Sequence, residues 1–262
     1  DISSYAEKKP KNSKAKISKR YKTKEAKYEA AKIYYEKGAY LSAAQLLEEI
    51  YPLYVSSLEG ENILFLFADS YMKNNDYLMA AFHFKDYIRR YPQSARTEEA
   101  SFLSSRCYFL NSPAYNLDQT DSYLAIEDLE IFLNAYPNSK FQQEGNMMID
   151  SLRNKLAKKD FNIARMYYNT GNYQAAQVSF NNLFKDFPGT IFFEESLYYL
   201  VKNSYEYAQK SVEEKKIERY QMTIDNKNKL KAYNAESKFL SDAEKIASEA
   251  EKKRNKILEN NK

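Results

Sequence analysis

Apolar positions recur along this chain at the spacing of a single helix face, and the recurrence comes in units. Four segments share one order: "EKGAYLSAAQLLEEIYP" (36–52), "NNDYLMAAFHFKDYIRRYP" (74–92), "TDSYLAIEDLEIFLNAYP" (120–137) and "NTGNYQAAQVSFNNLFKDFP" (169–188). Tyr40 and Ala43, Tyr77 and Ala80, Ser122 and Ala125, and Tyr173 and Ala176 stand in register, each alanine followed four residues later by Leu47, Phe84, Leu129 or Phe180. Pro92, Pro137 and Pro188 come twelve residues after the alanine and Pro52 three residues early, where a ring without an N–H ends a helix. Upstream of each turn a small residue precedes an aromatic by three: Ala31 and Tyr34, Ala68 and Tyr71, Ser105 and Tyr108, Ala164 and Tyr167. Small residues at that spacing let two helices approach closely. The pattern predicts helix, short turn at Gly38, Asn75 or Gly171, helix, proline.

That order resembles the tetratricopeptide repeat, although the tryptophan of that repeat is replaced by Lys27, Leu64, Ser101 and Asp160. A fifth unit is expected from "EESLYYLVKNSYEYAQKS" (194–211), which copies the register of "EEASFLSSRCYFLNSP" (98–113), with a second helix through Ile217 to Leu230. "NAESKFL" then echoes "PNSKFQ" at 137–142. The charged tail "LSDAEKIASEAEKKRNKILENNK" reads as a capping helix opened by Ser241 and Glu244 as a capping box. The fold expected is therefore an all-α tetratricopeptide solenoid of about five helix pairs plus a C-terminal capping helix. One pair cannot bury enough apolar surface to offset its ordering, so neighbours must supply the rest, giving a concave surface lined by the first helices. The organisation expected is a basic flexible arm over 1–24, an N-terminal half over 25–140 (repeats 1–3, with an insert at 113–120) and a C-terminal half over 141–262 (repeats 4–5 and the cap). The insert "PAYNLDQT" suits either a binding loop or a packed connection, and the proline-free run from Phe141 to Tyr168 predicts one long helix that would couple the halves.

Composition supports helices: 5 Gly and 6 Pro in 262 residues are too few for a sandwich or barrel of many strands. Mean hydropathy of -0.75 leaves no stretch fit to span a membrane. Net charge is +4, but residues 1–24 hold nine Lys/Arg against Asp1 and Glu7, so the remainder is mildly acidic. The arm suits a solvated linker or a membrane-surface contact, and the acidic body argues against nucleic acid as a partner. The start lacks the apolar stretch of a secretory signal, so any such peptide is expected to precede Asp1.

One cysteine and one histidine exclude an internal disulfide and remove the usual metal clusters and His-assisted nucleophiles. With no glycine-rich phosphate loop either, the reading is of a non-enzymatic protein without cofactor or metal. Cys107 lies in an apolar helical run and His83 in "AAFHFKDY"; both are expected as packed helix residues.

In a tetratricopeptide groove, ligand contacts come from fixed places on the first helices. The fifth place holds Tyr28, Phe65, Phe102, Phe161 and Tyr198; the twelfth holds Tyr35, Met72, Phe109, Tyr168 and Tyr205; the ninth holds Lys32, Asp69, Arg106, Arg165 and Lys202. Aromatic rings interleaved with cations suit an extended peptide rich in aromatic side chains and ending in a carboxylate. The same rings could instead pack between helices under the Lys and Arg stems. The carboxylate clamp of tetratricopeptide co-chaperones, built from Lys and Asn, is missing, since Tyr28, Lys32 and Leu66 occupy its places.

The stretches "SPAYNLDQTDSYLAIEDLEIFLNAYPNSKF" (112–141) and "RNKLAKKDFNIARMYYNTGNYQAAQVSFNNLFKDFP" (153–188) resemble the BamD family (YfiO/ComL), tetratricopeptide lipoproteins of the outer-membrane β-barrel assembly machinery. "SVEEKKIERY" (211–220) is similar to the form found in Bacteroidetes-type bacteria, and the likeness covers about residues 25–245. The resemblance implies a scaffold on the periplasmic face of the outer membrane, held by a lipidated cysteine that would precede this numbering. It implies that later repeats, with Phe161, Arg165, Tyr168, Tyr198 and Lys202, bind the periplasmic POTRA domains of a BamA-like barrel insertase, with room for other accessory subunits. It implies too that early repeats receive the C-terminal signal of unfolded outer-membrane proteins. Tyr28, Lys32, Tyr35, Phe65, Phe102 and Arg106 are the groove residues that repeat geometry offers for that role. The alternative is another periplasmic tetratricopeptide adaptor, linked to cell division or peptidoglycan.

Overall fold

The computed structural model of the chain describes residues 20–55 and 57–260. Eleven helices are found among them: α1 Lys24–Glu36, α2 Tyr40–Ile50, α3 Leu58–Lys73, α4 Tyr77–Arg90, α5 Thr97–Asn111, α6 Thr120–Ala135, α7 Gln142–Asn169, α8 Tyr173–Asp186, α9 Phe193–Gln209, α10 Glu213–Tyr233 and α11 Leu240–Asn260. A 3₁₀ turn, Tyr51–Leu53, follows α2 around Pro52. Consecutive helices pack from α1 to α6 and from α8 to α10, α7 meets α6 where Gln142 donates to the Leu133 carbonyl and meets α8 through Phe161 and Ala164, and α11 lies against both α9 and α10. This is the all-α tetratricopeptide type that the repeat predicts. Up to residue 19, the basic arm lies outside the described residues.

The described residues form two compact units, one running through Pro113 and adding Gln119–Ile149, the other comprising Ala114–Asp118 and Asp150 onward. In the first unit the small residues sit at the seams. Ala31, Ala43, Ala68, Ala80 and Ala125 have no exposed surface, and neither do Leu47, Phe84 and Leu129 one turn beyond the marker alanines. Ser105 replaces alanine at the third seam and is satisfied there, its hydroxyl bonding the Asp128 carboxylate at 2.8 Å, which also pairs with Lys85 at 2.7 Å. In the second unit Ala164, Ala176 and Phe180 are likewise fully buried. Cys107 is packed at 0% exposure, and burial pushes its thiol up to about 12, which leaves it inert as a nucleophile. His83 stacks on Tyr71 at 5.4 Å and against Phe67 at 4.2 Å, with burial holding its pKa below the usual range.

Within-pair turns take left-handed backbone at Gly38, Asn75 and Gly171 (φ 76°, 62° and 77°), a region open to glycine and tolerated by asparagine. The third pair has the insert instead. Its Ala114–Asp118 stretch packs on α7, with Lys158 Nζ 4.4 Å above the Tyr115 ring and Lys159 donating to the Leu117 carbonyl at 2.8 Å.

Turns between pairs share a second device. After Pro92, Pro137 and Pro188, a hydroxyl two residues on accepts from the backbone N–H two residues further: Ser94 from Arg96 at 3.0 Å, Ser139 from Phe141 at 3.1 Å, Thr190 from Phe192 at 3.4 Å. Each hydroxyl donates back to the first helix of its own pair, Ser94 to Glu61, Ser139 to Glu98 at 2.6 Å and Thr190 to Asn154 at 3.1 Å. The echo at 234–240 is the same turn, Ser237 accepting from Phe239 N–H at 3.2 Å. That turn starts α11 at Leu240, so the Ser241–Glu244 capping box does not form: Ser241 lies inside the first turn and Glu244 pairs with Lys231 at 3.4 Å.

Gly60 is required by close approach. A Cβ there would lie 2.2 Å from the Tyr54 carbonyl oxygen and 2.9 Å from Tyr91 Oη. Gly60→Ala is expected to cost about 2 kcal/mol or more, read from the urea midpoint. Hydrogen bonds from Ser94 and Tyr87 hold the Glu61 carboxyl below its ordinary range. Its contribution is therefore complete above about pH 4.3 and lost as pH falls through the lowered value. Between pH 6 and pH 3.5 the wild type should lose more stability than Glu61→Gln in matched urea melts.

Candidate functional site

Two faces of the first unit meet at an open cavity of about 270 Å³, lined by Tyr28 and Tyr35 from α1, Asn62, Phe65, Leu66 and Asp69 from α3, and Arg96 from the turn before α5. Tyr28 and Tyr35 are two helical turns apart and share a face, as do Phe65 and Asp69 one turn apart. Tyr35 donates to the Asp69 carboxylate, and Lys73 Nζ lies 3.7 Å from that carboxylate and 4.7 Å above the Tyr35 ring. Burial and the bond to Asp69 raise the Tyr35 pKa, while the bond to Tyr35 raises that of Lys73. Tyr28 packs against Tyr54 at 6.2 Å, and burial raises its pKa as well.

The fifth-place aromatics divide. Tyr28 and Tyr198 are half-buried, whereas Phe65, Phe102 and Phe161 are 5%, 1% and 3% exposed. Phe65 meets Phe84 and Tyr87 edge-on at 5.4 and 5.3 Å, and its outer face carries the Arg96 guanidinium 3.3 Å from the ring centroid. Phe102 stacks on Phe141 at 4.3 Å with rings 6° apart, inside the core. Phe161 stacks on Phe192 at 5.3 Å, with Arg165 5.6 Å from its centroid. The structure thus gathers Tyr28, Tyr35 and Phe65, while Lys32, Phe102 and Arg106 lie outside the cavity lining. Lys32 pairs with Glu29 at 2.6 Å and rests 4.8 Å from the Tyr28 ring; Arg106 pairs with Glu144 at 3.6 Å. Arg96 is the cation that helix-position reasoning misses, because it belongs to a turn rather than to a repeat position.

In the second unit Lys202 lies 5.3, 5.4 and 5.2 Å from the rings of Tyr168, Tyr198 and Tyr199. Tyr168 is pushed up to about 12 by burial; Tyr198 stacks on Phe239 at 4.9 Å and donates to Asp242. A larger open depression of about 510 Å³, lined by residues that include Asp150, Arg153, Asn154, Lys185 and Asp186, has mixed charge and little aromatic wall. Among the described residues no helix is long and apolar enough to cross a membrane, and no group of three His, Cys, Asp or Glu side chains is placed to hold a metal ion.

Hairpins with buried alanine seams and an aromatic cleft define a tetratricopeptide-type repeat protein. Residues 20–245 match the YfiO family, described as outer membrane lipoprotein, and the chain belongs to that family. It is 24% identical over 167 residues to outer membrane protein assembly factor BamD of Caulobacter vibrioides, covering 64% of this chain and 55% of that one. To the factor of the same name from Rickettsia prowazekii it is 26% identical over 117 residues, 45% and 47% of the two chains. To that of Vibrio cholerae it is 22% identical over 173 residues, 62% and 72% of the two chains. The chain spans about half the length of the first two of these relatives.

Core and cleft roles separate in a stability measurement. Phe102→Ala should cost about 3–5 kcal/mol in urea unfolding, whereas Tyr28→Ala, at a half-buried position, should cost about 1 kcal/mol.

Proposed function

We propose that the chain acts in outer-membrane protein assembly, as a scaffold that receives unfolded barrel proteins on its early hairpins and holds the barrel-inserting subunit on its later ones. Family membership and the assembly-factor names of its relatives support the first part. The observation that carries the binding reading is the cavity of Tyr28, Tyr35, Phe65 and Leu66, with Arg96 at hand. Aromatic walls of that size accept one large side chain, and a cation beside them accepts a carboxylate. The ligand is the end of an extended strand that finishes in an aromatic residue. Lys32 and Arg106, outside the cavity and each paired with a glutamate, act as secondary contacts, and Phe102 acts through packing.

The partner surface we assign to the second unit is Arg165, Tyr168, Tyr198 and Lys202, over the Phe161 core. The tyrosine rings offer apolar area of the kind enriched in interface centres, and Lys202 among them offers a charge with no carboxylate partner among the described residues. The partner in this reading is the periplasmic region of the insertase, with attachment at the periplasmic face of the outer membrane through a lipid anchor, a reading supported by membership of a family described as outer membrane lipoprotein.

Two measurements test this. A ten-residue peptide ending in Phe with a free carboxylate should bind the purified chain, and Tyr28→Ala or Leu66→Asp should weaken it about tenfold, roughly 1.4 kcal/mol, in calorimetry; unchanged affinity would remove the cavity from the mechanism. A photo-crosslinking residue at position 202 should capture the barrel insertase in cells. Capture of cell-division or peptidoglycan proteins alone would instead favour the adaptor reading.

A further inference from the structure

We infer that Arg96 is the residue that reads the terminal carboxylate of the bound peptide, and that Glu99 restrains it in the free protein. The inference rests on the cavity being the peptide site. Among the described residues that line that cavity, Arg96 is the only cation. The two first-helix cations suggested by repeat geometry, Lys32 and Arg106, are drawn off to Glu29 and Glu144. The cavity's own carboxylate, Asp69, is already compensated by the Tyr35 hydroxyl and Lys73. Glu61, the other acid near Arg96, is engaged by Tyr87 at 2.8 Å and by Ser94.

The guanidinium is placed to act. Its backbone is fixed by the Ser94 turn and by Ala100 N–H, which donates to the Arg96 carbonyl at 2.8 Å. Its side chain lies 3.3 Å from the Phe65 ring centroid. A planar guanidinium can rest a face on a ring while donating from its edge, which an ammonium cannot do. Its one ion pair among the described residues, Nε to Glu99 at 3.2 Å, joins groups about 40% exposed, so the pair is weak and exchangeable. An incoming carboxylate beside Tyr28 would take over that edge in a two-toothed contact while the peptide's terminal ring enters the aromatic cavity. Selectivity for a chain end over an internal aromatic follows, because only the end brings a charged carboxylate with two equivalent acceptor oxygens in place of a neutral amide carbonyl.

The test uses the full chain and two ten-residue peptides of one sequence ending in Phe, one with a free carboxylate and one amidated. Wild type should prefer the free acid by about ten- to a hundredfold, the range of a charge-assisted hydrogen-bonded pair. Arg96→Gln should abolish that preference while leaving the amidated peptide's affinity within about twofold, and Arg96→Lys should restore only part of it. Glu99→Gln, which removes the competitor, should strengthen binding of the free acid alone. The inference is overturned if Arg96→Gln retains the preference, if it weakens both peptides equally, which would mark a packing role over Phe65, or if Glu99→Gln changes nothing. If neither peptide binds wild type, or Tyr28→Ala leaves binding intact, the cavity reading itself fails and this one with it.

Discussion

The structure depends on how closely one helix can approach the next. At each of the first four within-pair seams a residue no larger than serine stands where two helices come together, and each such residue is fully buried or nearly so. Axes that pack through alanine sit near the lower end of the usual separation, which brings Leu47, Phe84, Leu129 and Phe180 into the gaps one turn later. Where a hydroxyl occupies the seam, as at Ser105, it needs an acceptor on the facing helix, and Asp128 supplies one. The prolines then end the second helices, and the hydroxyl turns aim the next first helix.

Much of this was legible in the chain because it follows from short-range periodicity. Marker alanines, left-handed turn residues and terminating prolines each act within a few residues of where they stand, and α7 emerged as one 28-residue helix where the sequence lacked a breaker. The start of α11 was misread because two serines compete to begin it, and the winner, Ser237, acts through a turn rather than as a helix cap. The site was less legible. Position in a repeat picked out Tyr28, Tyr35 and Phe65, which line one cavity, yet could not separate a ring on the surface from one closed in by its neighbour. Phe102 is covered by Phe141, which lies 39 positions away in sequence but 4.3 Å away in space. Arg96 falls outside the helical register altogether, so only the folded geometry puts it on the Phe65 ring.

The two units use aromatic residues differently. In the first, rings line an open cavity whose acid is neutralised locally and whose cation remains exchangeable. In the second, tyrosines surround Lys202, and others bind basic groups from later helices, Tyr205 meeting Lys253 and Tyr207 meeting Arg219. Tyrosine suits both uses, since one side chain offers an apolar face and a hydroxyl that must find a partner when buried.

The hydroxyl turns carry one more implication. Glu61 and Ser94, Glu98 and Ser139, and Asn154 and Thr190 each belong to a single cassette made of a first helix, a second helix and the exit bend after the proline. Donor and acceptor travel together, so copying or deleting a whole cassette orphans neither. A break placed inside the bend would strand both groups. Gene duplication could thus lengthen or shorten such an array in steps of that phase while keeping each bend's hydroxyl with its own acceptor.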